Sequence, residues 1–306
     1  MKNRTITGII IAIVYVAVLA LSMYVHQIFF DVFLVFIAAV GTYEICSALP
    51  TFVGKPIYPI NIAALVLGFG SFWTVQYLYP VSYASGLGGY FVSLAVMVLF
   101  TVIFTACSKK HVSSNAFATI FAMLYPTMVT MFSLAINYFL NAREGISSSL
   151  PYRTAGVVLM FVVPTITDVF AFFVGSRLRG KKLCPTISPN KTVSGAIGGL
   201  FGGLVGSGIV AAAAALNYYL GWNVMGIRIF PGGWPETGVS LAVLGLLGSV
   251  VGQVGDLFAS YIKRRAGIKD YSNILPGHGG VLDRVDSFIF SGVIFYLYFA
   301  VAIIFM

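Results

Sequence analysis

The sequence predicts an all-α, polytopic integral membrane protein with about nine transmembrane helices and a cytoplasmic N-terminus. Three observations carry this reading. Only 9% of the 306 residues are Asp, Glu, Lys or Arg, and 59% are hydrophobic. Soluble domains carry roughly a quarter charged residues, so this chain cannot cover a surface that faces water. Nine stretches reach the ~20 apolar residues that span ~30 Å of hydrocarbon. They lie at about 6–24, 28–48, 58–80, 85–107, 115–140, 154–175, 195–219, 238–260 and 284–305. The third observation is the placement of the cations. With the N-terminus inside, the inner side holds Lys2, Arg4, Lys55, Lys109, Lys110, Arg177, Arg179, Lys181, Lys182, Lys191, Lys263, Arg264, Arg265, Lys269 and Arg284. Arg143, Arg153 and Arg228 fall outside, which accounts for all 18. That excess of Lys and Arg orients membrane proteins, and one helix more or fewer would scramble it.

The first segment, MKNRTITGIIIAIVYVAVLALSMYV, has the basic start and apolar run of a signal peptide. It lacks a convincing small-x-small cleavage site, and eight spans follow, so it reads as the first helix. The second segment carries Asp31 and Glu44, each about one turn from an end, where a carboxylate costs less than at the midplane. Glu44 reads as the partner of a helix-end cation or as a protonated packing residue. Residues 1–150 thus form N-terminal membrane helices of about five spans. Residues 151–306 form a C-terminal half of about four spans, where any chemistry is expected on the inner side, with long cytoplasmic stretches at 176–194 and 261–283. The outer loops, 141–153 and 221–237, hold Arg143, Glu144, Tyr152, Arg153, Arg228 and Glu236. They read as interfacial structure, with Trp222, Trp234 and Tyr152 as belt residues. The seventh segment has glycine at 195, 198, 199, 202, 203, 206 and 208, spacing that suits close helix packing or a groove of bare backbone.

Several function classes drop out. The net charge of +9 gathers on one membrane face, where it meets anionic lipid or a polyanionic substrate, and is no nucleic-acid signature. Cys46, Cys107 and Cys184 form no CxxC pair, so neither zinc nor disulfides are indicated.

Chemistry-bearing residues crowd the two inner stretches. Between Ser260 and Ser287 eight residues are charged, of 27 in the whole chain. Asp256 lies about one turn inside the end of helix eight, with Ser260 at i+4 and Lys263 at i+7 on its face. Asp283 and Asp286 share a face where helix nine begins; a lone Asp there is usually an N-cap. Three acids near hydrocarbon must be neutralised, by structural ion pairs or by a divalent cation such as Mg²⁺, which binds through one or two carboxylates plus phosphates. Between them, Gly277, Gly279 and Gly280 in ILPGHGGVL form either a re-entrant turn or a phosphate cradle before a helix start. His278 is a proton donor, a phosphate ligand or, first in rank, a hydrogen bonder within the loop. In the other stretch, Asp168 lies some seven residues inside helix six, as an interhelical partner or a site residue. SPNKT supplies Ser188, Lys191 and Thr192, either a phosphate clamp or a plain N-cap. No GxxxxGK precedes it, so it is not a Walker sequence.

SYIKRRAGIKDYSNILPGHGGVLDRVD, 260–286, with GDL at 255–257 and SPNKT at 188–192, resembles the signature of the phosphatidate cytidylyltransferases (CDP-diacylglycerol synthases). The chain departs from the common pattern at Phe172, Ser176, Ser194 and Ala259. The resemblance implies transfer of the cytidylyl group of CTP to phosphatidate, giving CDP-diacylglycerol and pyrophosphate. Asp256 and Asp283 would hold Mg²⁺ against the CTP phosphates, and Asp168 and Asp286 would orient cations or a second metal. Lys191, Lys263, Arg264 and Lys269 would bind phosphates of CTP or of the lipid, with Ser188, Thr192 and Ser260 as hydroxyl contacts. His278, Gly279, Gly280 and Arg284 complete the expected substrate contacts. CTP, phosphatidate and membrane lipids are the expected partners, without nucleic acid, and a homodimer is expected from the family. The expected location is the plasma membrane, with the site on its cytoplasmic side. The alternative is an ion-coupled transporter using the intramembrane carboxylates. A transporter would more naturally set polar groups near the midplane, often in two repeats, and no repeat is visible.

Overall fold

With no water inside hydrocarbon to bond the peptide groups, an apolar run satisfies its backbone only by coiling on itself. The computed structural model describes residues 2–79, 85–139, 151–220 and 234–304. Arg143, Glu144, Trp222 and Arg228 lie outside the described residues, as does the side chain of Tyr152. The helices are α1 (Lys2–Tyr24), α2 (Ile28–Ala48), α3 (Tyr58–Leu78), α4 (Ser85–Cys107), α5 (Ser113–Ala122), α6 (Val129–Ile136), α7 (Pro151–Leu178), α8 (Val193–Tyr219), α9 (Trp234–Arg265) and α10 (Leu282–Ile304). Among the described residues nine spans are long and apolar enough to cross a membrane, which bears out the expected polytopic all-α architecture. Seven are single helices, and the second, Ile28–Thr51, is α2 extended by a 3-10 turn at Leu49–Thr51. The fifth, Ser113–Ile136, joins α5 to α6 across a break at Tyr125 (φ −131°, ψ 119°) beside Pro126. Proline has no N–H for the helical ladder and its ring clashes with the preceding turn. One feature departs from all-helical expectation: β1 (Lys182–Cys184) and β2 (Ser188–Thr192) pair as an antiparallel hairpin before α8.

The chain divides into two compact units. The first comprises Met1–Ala135 and Ile262–Val285. In α2, Phe30, Leu34, Ile37, Ala38 and Ile45 are at most 1% exposed and recur at the helical period on one face. Val32, Phe36 and Tyr43 on the other face are exposed, an apolar surface suited to lipid. In α4, Gly89 lies against the Ser71 carbonyl and Val75 of α3, so these two helices meet backbone to backbone. Ile57, Ile60, Met97 and Met123 form a buried cluster beside them.

The second unit comprises Ile136–Tyr261 and Asp286–Met306. The glycines of α8 act as packing positions. Gly195, Gly198, Gly202 and Gly206 face Gly175, Val174, Phe170 and Val163 of α7, where an added Cβ would strike the neighbour. Gly199 and Gly203 face Gln253, Ser249 and Gly245 of α9. Two glycine stripes thus seat α8 between two helices, and Gly208 has open space. Phe161 packs on Phe288, and Phe139 on Tyr296 and Phe299.

Candidate active site

In the second unit the hairpin delivers a lysine to a carboxylate. Strand β2 leaves Lys191 half-buried and buries Thr192. Lys191 Nζ lies 2.5 Å from Asp256 Oδ2, with side chains 27% and 30% exposed. Ser260, one turn along α9, donates to Asp256 Oδ1 at 3.3 Å. The i,i+4 stripe read from the sequence is therefore realised, and it gains a lysine from 65 residues upstream. Thr192 takes the N-cap role: its Oγ1 accepts from the Gly195 N–H at 3.0 Å, satisfying one free donor of the α8 start. Its hydroxyl also bonds Ser194, which donates to the Arg179 carbonyl. Ser188 is half-buried and pairs with Cys184 across the hairpin. Asp286 is buried and accepts from the Ser287 N–H at 2.7 Å. Asp168 is exposed on α7.

In the first unit the residues after α9 fold back onto the start of α10. Leu275, Pro276, Gly277 and His278 make a turn closed by the His278 N–H on the Leu275 carbonyl at 2.9 Å. Pro at the second place and Gly277 at φ +76° in the third give the type II pattern. Leu275 then donates to the Gly279 carbonyl at 2.9 Å, and Gly279 sits at φ +84°, a region that L side chains rarely enter. Asp283 accepts three bonds in this loop. Lys263 Nζ lies 2.5 Å from Oδ1, and the Tyr271 and Gly280 N–H groups donate to Oδ2 at 2.9 Å each. The Lys263 and Asp283 side chains are 12% and 2% exposed, and the Lys263 ammonium lies 5.5 Å from the Tyr271 ring centroid.

A residue not proposed for the site joins this loop within the first unit. Glu44 of α2 is fully buried, and its carboxylate accepts from Ser272 Oγ at 2.6 Å and from the Val281 and Leu282 N–H groups at 2.9 and 2.8 Å. Among the described residues its partners are therefore the Ser272 hydroxyl and the donors at the start of α10, and not a cation. The only signal in the sequence was an acid one turn from a helix end, which names no partner.

These bonds show what the backbone donors at the α10 end of the glycine loop meet. The N–H groups of Gly280, Val281 and Leu282 all point to the chain's own carboxylates. The electrostatic pull of a helix start acts on any nearby anion, and here Glu44 and Asp283 take it. Gly280 is small because a Cβ there would run into the Glu44 carboxyl group. His278 contributes backbone bonds: its carbonyl accepts from Arg284 Nε at 2.9 Å. Its Nδ1 is buried with no hydrogen-bond partner among the described residues, and its ring lies against Gly8 of α1. Thr7 donates to the Pro276 carbonyl at 2.9 Å. Arg264, Lys269 and Arg284 are exposed, cations open to solvent-borne anions.

Among the described residues no group of three or more His, Cys, Asp or Glu side chains gathers as a metal cage. Mg²⁺ needs no such cage, because it keeps waters and takes substrate phosphates with one or two carboxylates. Asp256 suits that mode: it is 30% exposed and bonded only by Lys191 and Ser260 in the described contacts. Asp283 is more fully engaged.

Comparison with known proteins agrees with the sequence signature. A profile described as the Cytidylyltransferase family matches residues 2–302. A Staphylococcus aureus (strain COL) protein named Phosphatidate cytidylyltransferase is 30% identical over 290 residues, 95% of this chain and 95% of that protein. Proteins of the same name from Brucella abortus biovar 1 (strain 9-941) and Brucella suis biovar 1 (strain 1330) are 42% identical over 151 residues, 49% of either chain. The match thus spans about half the length of the Brucella relatives and nearly all of the Staphylococcus one. The transporter alternative finds no support in these matches.

Proposed function

Since this chain belongs to the cytidylyltransferase family, we propose that it transfers the cytidylyl group of CTP to phosphatidate. A phosphate oxygen of phosphatidate bonds to the α-phosphorus of CTP, and the bond from that phosphorus to the bridging oxygen breaks. CDP-diacylglycerol forms and pyrophosphate leaves. The observation that carries this reading is the match along 95% of the chain to a relative bearing that activity in its name. The site chemistry supports it. The attacking oxygen is already anionic near neutral pH, so positioning and charge neutralisation suffice and no strong base is required.

The roles follow from exposure and pairing. Lys191 is held by Asp256 with its side chain 27% exposed, and it contacts a CTP phosphate. Ser260 adds a hydroxyl and steadies the Asp256 carboxylate. Lys263, held by Asp283, presents a second ammonium, and exposed Arg264, Lys269 and Arg284 attract the polyanion from the cytoplasm. Mg²⁺ would be held by Asp256 and would offset charge on the departing pyrophosphate. Asp283 is the second candidate ligand, taking a cation in exchange for the Lys263 ammonium, and Asp168 and Asp286 are candidates for a further cation. Ser188, Thr192, His278, Gly279 and Gly280 shape the loops that carry these groups. The site faces the cytoplasm of the plasma membrane, where CTP arrives while the acyl chains stay in the bilayer.

The deciding experiment incubates purified protein with phosphatidate, Mg²⁺ and CTP labelled at the α-phosphate. Label moves into the organic phase if the reading holds. Retention of all label in the aqueous phase refutes the reaction class, and undiminished transfer after chelation refutes the metal.

A further inference from the structure

We propose that Glu44 is a positioning residue of the active site, which holds the Ser272–Leu282 loop so that Lys263 and Asp283 meet substrate in register. This rests on the reading that these two residues serve cytidylyl transfer. The observations come from within the first unit. Glu44 is 0% exposed in a membrane helix, where an unpaired carboxylate is costly. It persists there because three donors engage it: the Ser272 hydroxyl and the Val281 and Leu282 amides. All three belong to the loop and the start of α10, more than 220 residues away in sequence. Asp283 is the next residue after Leu282, and it takes the Gly280 and Tyr271 amides together with Lys263.

One carboxylate therefore clamps the backbone on which the other is mounted. Gly280 lies between them: a Cβ there would meet Glu44 on one side, while its N–H reaches Asp283 on the other. Glu44 touches neither Lys263 nor Asp283 directly in the described bonds. Its influence passes through Val281 and Leu282. A glutamine at this place keeps the volume but turns one acceptor into a donor, facing an amide that also donates. The start of α10 then loses a partner and shifts.

The test compares full-length wild type with Glu44→Gln, Glu44→Asp, Gly280→Ala and the Glu44→Gln/Gly280→Ala pair. Tyr43→Phe, on the exposed face of the same helix, is the control. Steady-state kinetics with CTP and phosphatidate are read beside hydrogen exchange of peptides covering 272–286. Glu44→Gln is expected to lose about 10- to 100-fold in kcat, the scale of an ångström-sized misplacement. KM for CTP stays within about threefold, since the exposed cations that bind it remain. Exchange at Val281 and Leu282 accelerates. Glu44→Asp regains part of the rate, Gly280→Ala loses a similar factor, and the pair loses no more than the worse single change. Wild-type kcat in Glu44→Gln, or multiplied losses in the pair, overturns the proposal. If wild type itself moves no label into lipid, the assigned reaction has failed. Glu44 is then decided by exchange: unchanged protection in Glu44→Gln rejects it as the clamp, and faster exchange at Val281 and Leu282 supports it.

Discussion

Asp256 and Asp283 are both paired to lysine at 2.5 Å, yet their surroundings differ. The Asp256 pair is about 30% exposed and the Asp283 side chain 2%. Asp256→Asn is expected to fold and insert normally and to lose at least ~100-fold in turnover, as when a charge-stabilising group is removed. The labelled-CTP assay and the thermal midpoint in detergent check the two halves of that statement. Asp283→Asn is expected to lose a comparable factor and also to lower the midpoint. It strands the Lys263 ammonium, and breaking a buried pair costs about 3–5 kcal/mol. Equal midpoints for the two variants would contradict the difference in burial. Spacing and the family resemblance singled out these acids and lysines as candidates, but the pairing of Lys191 with Asp256 was not legible there. It depends on a hairpin of eight described strand residues, whose register no helical periodicity announces.

Between α7 and α8 the backbones approach through glycine, and between β2 and α8 the chain turns on Thr192. Thr192→Ala removes the acceptor for the Gly195 N–H and is expected to cost about 1 kcal/mol in unfolding free energy. Gly203→Leu places a side chain against the Gly245 carbonyl and Ser249 of α9. Overpacking of that kind costs about 1–3 kcal/mol, and it should appear as a lowered midpoint and poor yield in detergent. A midpoint unchanged from wild type would mean that α8 and α9 separate easily. Helix limits were read well where apolar runs end abruptly: 28–48 and 85–107 match Ile28–Ala48 and Ser85–Cys107. The break in the fifth span was missed, because Pro126 sits within a largely apolar run and hydropathy does not register a lost backbone donor.

Across the protein, charge asymmetry sets the expected orientation. Single cysteines at Lys110 and Lys182, both exposed, should react with a membrane-impermeant maleimide only after cells are opened. Labelling in intact cells would reverse the topology and move the proposed site away from CTP. Membrane residence, the number of spans and the kinds of residue available for phosphate chemistry follow from composition and order along the chain. Burial in lipid leaves an apolar run almost no choice but a helix, and cations resist transfer across the bilayer. Which carboxylate meets which donor is a different matter, because bonds such as Glu44 to Val281 join residues 237 apart in sequence. Hydrogen bonds act over a few ångströms, so their partners are chosen by how helices pack, and that information exists only once the chain has folded.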